Sequence, residues 1–285
     1  MLDIDTLRFR SQILQKLRAY FTARAFIELD TPALSPELPP DTDYGLFRTQ
    51  YDDPWTGSQK QVYLLPSHRY FLTKAVAGLK SPVFQLSKCY RNGELADRLT
   101  SPEFTFLEAY MPEATSDEAA TLIEALFDSL IQDDGTVPAR PPYRRLTLDE
   151  AGLEYAGFQP SKYNTVKKLA EKLVELGFTD SPSNSFRDWQ KEELFELLLT
   201  QCIVPALPED KCLFITDWPS FRTEQWRLYA AGTELAAAHS EKADKNTVSF
   251  TSIELYADRL IMLLAHLNSV ENAIPFPFRL KKGYY

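Results

Sequence analysis

The chain has 285 residues, 44% hydrophobic and 25% charged, with 31 Lys+Arg against 40 Asp+Glu for a formal charge of −9. That composition excludes an intrinsically disordered chain. No apolar run reaches the ~20 residues of a bilayer span and the N-terminus MLDIDTLRFRSQ lacks a signal-peptide core, so a soluble, cytoplasmic protein without a membrane partner is expected.

In chain order, apolar residues at Leu7, Ile13, Leu14, Leu17 and Phe21 predict a helix over 6–25. Phe26–Asp30 reads as a short strand, and the prolines between Pro32 and Pro40 as loop. Gln61–Leu65 predicts a strand, and Ser67 is a candidate N-cap for a helix to about Val76. Two alternating segments, Val83–Tyr90 and Phe104–Tyr110, flank a polar connection, which predicts an antiparallel pair with a long functional loop. Helices are expected over 116–132 and 187–204, with a mixed proline-rich stretch over 134–186. Cys212–Thr216 and Trp226–Leu235 predict strands, and Ser252–Leu267 an apolar helix. This order predicts an α+β fold, an antiparallel β-sheet flanked by helices, in one domain over 1–285 without repeats or linkers.

Cys89, Cys202 and Cys212 form no Cys-x-x-Cys pair and there are only three histidines, which excludes a disulfide framework and argues against a structural zinc site. Neither G-x-x-x-x-G-K-[ST] nor G-x-G-x-x-G occurs among the ten glycines, so a nucleotide would be held by other means. The nearest approaches to a basic patch are Lys167-Lys168 and the tail around Arg279, Lys281 and Lys282, ordinary as solvated surface. The most informative stretch is YRNGE…SPEFTFLEAY over 90–110. It reads either as a nucleotide clamp, with Arg91 forking onto a phosphate and Phe104 offering a flat face to a purine, or as a charged hairpin tip above a core phenylalanine.

That stretch resembles motif 2 of the class II aminoacyl-tRNA synthetases, and most closely the lysyl subgroup. YFTARAFIELDTPALSP resembles motif 1, YADRLIMLL motif 3, and ENAIPFPFRL the closing segment of lysyl enzymes. Because motif 1 lies so near the first residue, no anticodon-binding domain is expected. The resemblance therefore points to the stand-alone lysyl-synthetase paralogues, the elongation factor P–lysine ligases. It implies ATP and Mg²⁺, a homodimer through the motif 1-like region, and a protein acceptor such as elongation factor P rather than tRNA.

Roles follow residue by residue from the resemblance. Arg91 and Arg259 would be the catalytic arginines on the phosphates, with Asn92, Glu94, Ser101 and Phe104 completing the nucleotide site. GTELAAAHSE resembles the family segment G-x-E-L-A-N-G-F-x-E, so Glu234 and Leu235 would serve the nucleotide, and Glu234 and Glu241, seven apart, the metal. A strand-end pair of carboxylates is the plainer reading of those two glutamates. Ser67, Arg69, Tyr110 and Glu241 would line the amino-acid pocket.

Departures from the family pattern are equally visible. Arg69 stands where the family has an acid or amide, reversing the charge offered to a cationic amino acid. Ala237 and Ala238 replace an asparagine and a glycine, and no counterpart of the motif 2 histidine is found at Leu99 or Thr100. Glu254 and Tyr256 occupy motif 3 glycine positions, where a tyrosine would fill part of the adenosine pocket. The segment between Glu241 and motif 3 is also short. Two functions are therefore expected: an adenylate-forming ligase or, alternatively, a catalytically degenerate paralogue acting as a binding subunit.

Overall fold

A computed structural model describes residues 4–38, 45–94, 96–130, 141–180, 185–242 and 248–278. The basic tail and the end of the closing segment lie outside them. The chain divides into two compact units, one of residues 1–137 with 235–285 and the other of 138–234.

Helix α1 (Ile4–Thr22) buries Arg10, Ile13, Leu17, Tyr20 and Phe21 along one face, the three-to-four spacing expected of an amphipathic helix. The two-residue strand β1 (Ile27–Glu28) follows and lies parallel to β5 (Val83–Tyr90). Between them, β2 (Leu34–Ser35), β3 (Phe47–Asp52) and β4 (Gln59–Leu64) form a small antiparallel sheet, of which the sequence signalled only the last strand. Helix α2 (Arg69–Leu79) ends where Lys80 enters the left-handed region at φ 50° and donates its N–H to Val76. β5 pairs antiparallel with β6 (Glu103–Pro112) from Val83↔Tyr110 to Tyr90↔Glu103, as the alternation predicted. Helix α3 (Ser116–Leu130) buries Ile123, Leu126 and Phe127.

In the second unit, β7 (Tyr143–Thr147) runs into the short helix α4 (Leu148–Ala151), capped by a reciprocal Thr147–Glu150 box. Helices α5 (Val166–Glu175) and α6 (Lys191–Leu198) supply Leu169, Leu173, Leu194 and Leu198 to a core shared with Phe158, Phe186 and Ile215. The helix expected over 187–204 is in fact broken into a 3₁₀ turn, α6 and a wider π turn before Pro205. Strand β8 (Cys212–Thr216) lies parallel to β7 and antiparallel to β9 (Glu224–Ala230).

The single strand expected over 226–235 is interrupted. Ala231 and Gly232 have φ values of 49° and 64°, so the chain turns there and β10 (Thr233–Glu241) begins. Two successive positive φ angles are the signature of a tight hairpin turn, and an alanine at the first position hides it from sequence inspection. β11 (Phe250–Tyr256) and helix α7 (Ala257–Leu264) occupy the stretch read as one helix from Ser252, and α8 (Val270–Ala273) follows. The order in the first unit is β1-β5-β6-β11-β10, antiparallel except for β1.

Directly paired residues on antiparallel strands share a face. One face of this sheet carries Phe84, Leu107 and Leu255, and Phe84 stacks on Phe21 of α1 at 5.3 Å. The other carries Ser87 and Cys89 of β5, Phe106, Glu108 and Tyr110 of β6, Ser252, Glu254 and Tyr256 of β11, and His239 and Glu241 of β10. Alternation along strands read as apolar thus delivers a row of polar groups to one side.

Candidate active site

Arg91 emerges at the end of β5 and is only 4% exposed. Its backbone N–H donates to Pro102, closing the base of the 91–102 connection at 2.9 Å. The guanidinium lies 4.8 Å from the centre of the Phe104 ring. Nη1 donates to the Tyr256 hydroxyl at 3.3 Å and to Glu94 at 3.4 Å. Asn92 turns away from this cluster. Its amide donates to the Leu46 carbonyl, and its backbone N–H to Gly45 at 2.8 Å. A β-carbon on Gly45 would meet the Asn92 oxygen at 2.1 Å, which is why glycine stands there.

Arg259 enters from α7, its Nε donating to the Leu99 carbonyl at 3.0 Å and its guanidinium 3.9 Å over the Tyr256 ring. Glu94, Ser101, Phe104, Tyr256 and Arg259 line one narrow cleft. Five residues of the expected nucleotide site are therefore together, since Arg91 adjoins the same cleft. The Tyr256 ring, 4.9 Å from Phe106 and 6.1 Å from Phe104, occupies much of the space between the arginines and these phenylalanines.

A buried ion pair fixes this arrangement from beneath. Arg10 of α1 donates to Asp258 at 2.6 Å, to the Thr105 hydroxyl at 2.7 Å and to the Ala273 carbonyl at 2.9 Å. The other Asp258 oxygen accepts the Thr105 N–H at 2.6 Å. One carboxylate thus ties α1, β6 and α7 into a common register directly below Phe104 and Arg259.

Beside the cleft, Ser67 donates to Glu108 Oε1 at 2.6 Å and the His68 N–H to Oε2 at 2.7 Å. His68, not Ser67, is the residue that precedes the first turn of α2; the Ser67 hydroxyl instead accepts the Arg69 N–H at 3.0 Å. Arg69 forms an ion pair with Glu241, so these two expected pocket residues do meet. Burial works against the Arg69 charge, but Tyr110, Glu241 and Glu254 around it raise its pKa above the ordinary guanidinium value. Tyr110 is wholly buried, and its hydroxyl has no hydrogen-bond partner among the described residues.

Glu254 faces His239 Nε2 at 3.7 Å with its side chain 16% exposed. Burial pushes its carboxyl up, yet His239, Arg91 and Arg69 outweigh that and hold it below the ordinary glutamate range. Sequence reasoning did not assign roles to Glu108, His68 or His239. The available signal was a charged residue in the apolar run FTFLEAY.

Glu234 belongs to the second unit, where Arg227 reaches it at 3.4 Å, and Glu241 is held by Arg69 in the first. Leu235 is fully buried, which confines any nucleotide contact to its backbone. Two arginines, an aromatic ring and small polar groups around one cleft suit a nucleoside triphosphate, provided the Tyr256 ring turns aside. Arg227 engages one oxygen of Glu234 and Arg69 one oxygen of Glu241.

A match to the family described as tRNA synthetases class II (D, K and N) spans residues 4–257. The chain belongs to this class II synthetase family. Among its relatives is the elongation factor P–(R)-β-lysine ligase of Pseudoalteromonas translucida, 31% identical over 76% of this chain and 64% of that protein. The ligases of Haemophilus influenzae (strain PittGG; 27%, over 85% of this chain and 75% of that protein) and Photobacterium profundum (23%, over 96% of each) are further relatives. This class II chain thus spans just under two thirds of the Pseudoalteromonas protein. Among the described residues, no helix is long and apolar enough to cross a membrane.

Proposed function

We propose that this chain is an ATP-dependent ligase that activates lysine or a close analogue such as (R)-β-lysine as its adenylate and transfers the acyl group to an amine. The acceptor is a lysine side chain of an elongation factor P-like protein, as the names of its relatives suggest. The carrying observation is Arg91, buried against the Phe104 ring beside a cleft that Phe104 and Arg259 line.

ATP, when bound, supplies the α-phosphorus that the substrate carboxylate attacks as pyrophosphate leaves. Arg91 is preorganised by Glu94 to offset the charge that develops there, and burial strengthens its effect. Arg259 serves the terminal phosphates and Phe104 the purine. Each of Glu234 and Glu241 has one oxygen engaged by a guanidinium, and the electrostatic work is assigned to the arginines.

The amino-acid side of the site supports a cationic substrate. Arg69 is neutralised by Glu241, while Glu254 adds a carboxylate on the same sheet face. Reading Arg69 alone suggests the opposite charge preference; its partner restores the balance.

A second reading, a paralogue that binds without activating, is favoured by the Tyr256 ring lying in the cleft. Amino-acid-dependent exchange of pyrophosphate into ATP separates the two. Lysine or (R)-β-lysine should support exchange, and Arg91→Ala should lower it by about 10²–10³-fold. Absence of exchange with either amino acid would establish the binding-only reading. Transfer is checked by the mass gain of elongation factor P incubated with the chain, ATP and the amino acid.

A further inference from the structure

We propose that His68, Cys89 and Glu108 form a binding site for one zinc-like divalent transition-metal ion beneath the start of α2. The three side chains come from three separate segments, and all are buried, at 2%, 0% and 1% exposure. His68 Nδ1 lies 3.5 Å from the Cys89 sulfur and 3.3 Å from Glu108 Oε2. One donor atom from each residue falls within 4.8 Å of the others.

A tetrahedral ion with bonds of about 2.0–2.3 Å places neighbouring ligand atoms roughly 3.3–3.6 Å apart. Both separations match that spacing. A thiolate, an imidazole and one carboxylate are also the donor types that zinc accepts together, whereas hard cations such as Mg²⁺ and Ca²⁺ take all-oxygen sites. Three protein ligands leave a fourth position for water.

The surroundings hold each ligand in position. Glu108 is oriented by the Ser67 hydroxyl on Oε1 and the His68 N–H on Oε2, and Oε2 keeps a second lone pair for the metal. Ligation through Nδ1 places the His68 proton on Nε2; Ser87 Oγ lies 3.5 Å from both ring nitrogens. Gln85 donates to the same hydroxyl at 3.0 Å. Supporting hydrogen bonds of this kind fix ring orientation in metal sites. The thiol proton leaves to solvent as the ion binds. The site shares no residue with Glu234 or Glu241 and does not rest on the ligase reading.

The test uses the full chain, stripped with a chelator and reloaded with Zn²⁺ or Co²⁺. One zinc per chain by elemental analysis is expected, together with a thiolate-to-cobalt charge-transfer band in the near ultraviolet. Cys89→Ser should abolish that band, while Cys202→Ser and Cys212→Ser keep it. Ser87→Ala, which leaves every ligand in place, should weaken zinc binding by about tenfold. Should Cys89→Ser fail to fold, judged by its thermal melt, Ser87→Ala and Glu108→Gln carry the test by zinc titration. Zinc uptake well below one per chain, a cobalt spectrum without the band, or a band that survives in folded Cys89→Ser would overturn the site.

Discussion

In the proposed ligase, Tyr256 is the residue on which nucleotide binding turns. Its hydroxyl accepts from Arg91 and its ring lies under Arg259, so one side chain engages both arginines assigned to the phosphates. Tyr256→Ala should tighten ATP binding at least tenfold by calorimetry, because the ring no longer has to leave before the nucleotide enters. Tyr256→Phe keeps the ring and should bind ATP within a fewfold of the parent. Unchanged affinity in the alanine variant would show that the ring is no obstacle. Elsewhere, burial pushes the Glu224 carboxyl up but Arg227 and Arg222 outweigh it, holding it at about 2. A depressed carboxylate stabilises the fold above its unfolded value near 4.5, and that contribution fades as pH falls towards 2. Glu224→Gln should therefore cost about 3 kcal/mol at pH 7 and almost nothing near pH 2, measured by urea unfolding. The grouping of Arg91, Phe104 and Arg259 was legible because motif spacing marks them. Glu108, His68 and His239 were not, because their partners lie 15 to 41 residues away.

The α1, β6 and α7 elements meet at Arg10 and Asp258, which are 7% and 4% exposed by side chain. Removing one member of a buried pair leaves an uncompensated charge, so Asp258→Asn should destabilise the chain by about 3–5 kcal/mol. Thermal or urea unfolding would check this, and a loss under about 1 kcal/mol would show that the pair is dispensable. Helical periodicity revealed α1 and α3, and strand alternation revealed β5 and β6. The β10 strand escaped because its turn uses Ala231 before Gly232, and the start of α7 was misplaced because apolar β11 runs into it without a break. Both errors have one cause: an apolar run has no period of its own when both faces are covered.

At the scale of the whole chain, the segment after α1 leaves Ile27, Leu34 and Leu38 exposed at 45%, 49% and 57%. Ile27 and Leu34 belong to the motif 1-like region and Leu38 follows it, and apolar exposure of this kind suits an isologous contact with a second copy. Sedimentation at micromolar concentration should return a dimer, and Leu34→Asp should shift it towards monomer; a monomeric parent chain would exclude this interface. The ordered motifs were sufficient to place the chain among class II synthetases, since local strings such as YRNGE and YADRL survive without knowledge of their neighbours. Folding alone decided which charges cancel. Arg69 and Glu241 are 172 residues apart, and their ion pair cancels the charge that Arg69 alone would present. The same is true of the His68, Cys89 and Glu108 cluster: cysteine and histidine spacing argued against zinc because no pair of them is close in sequence. Sheet pairing and the position of α2 bring them together, and proximity created by tertiary packing leaves no periodic trace in the chain.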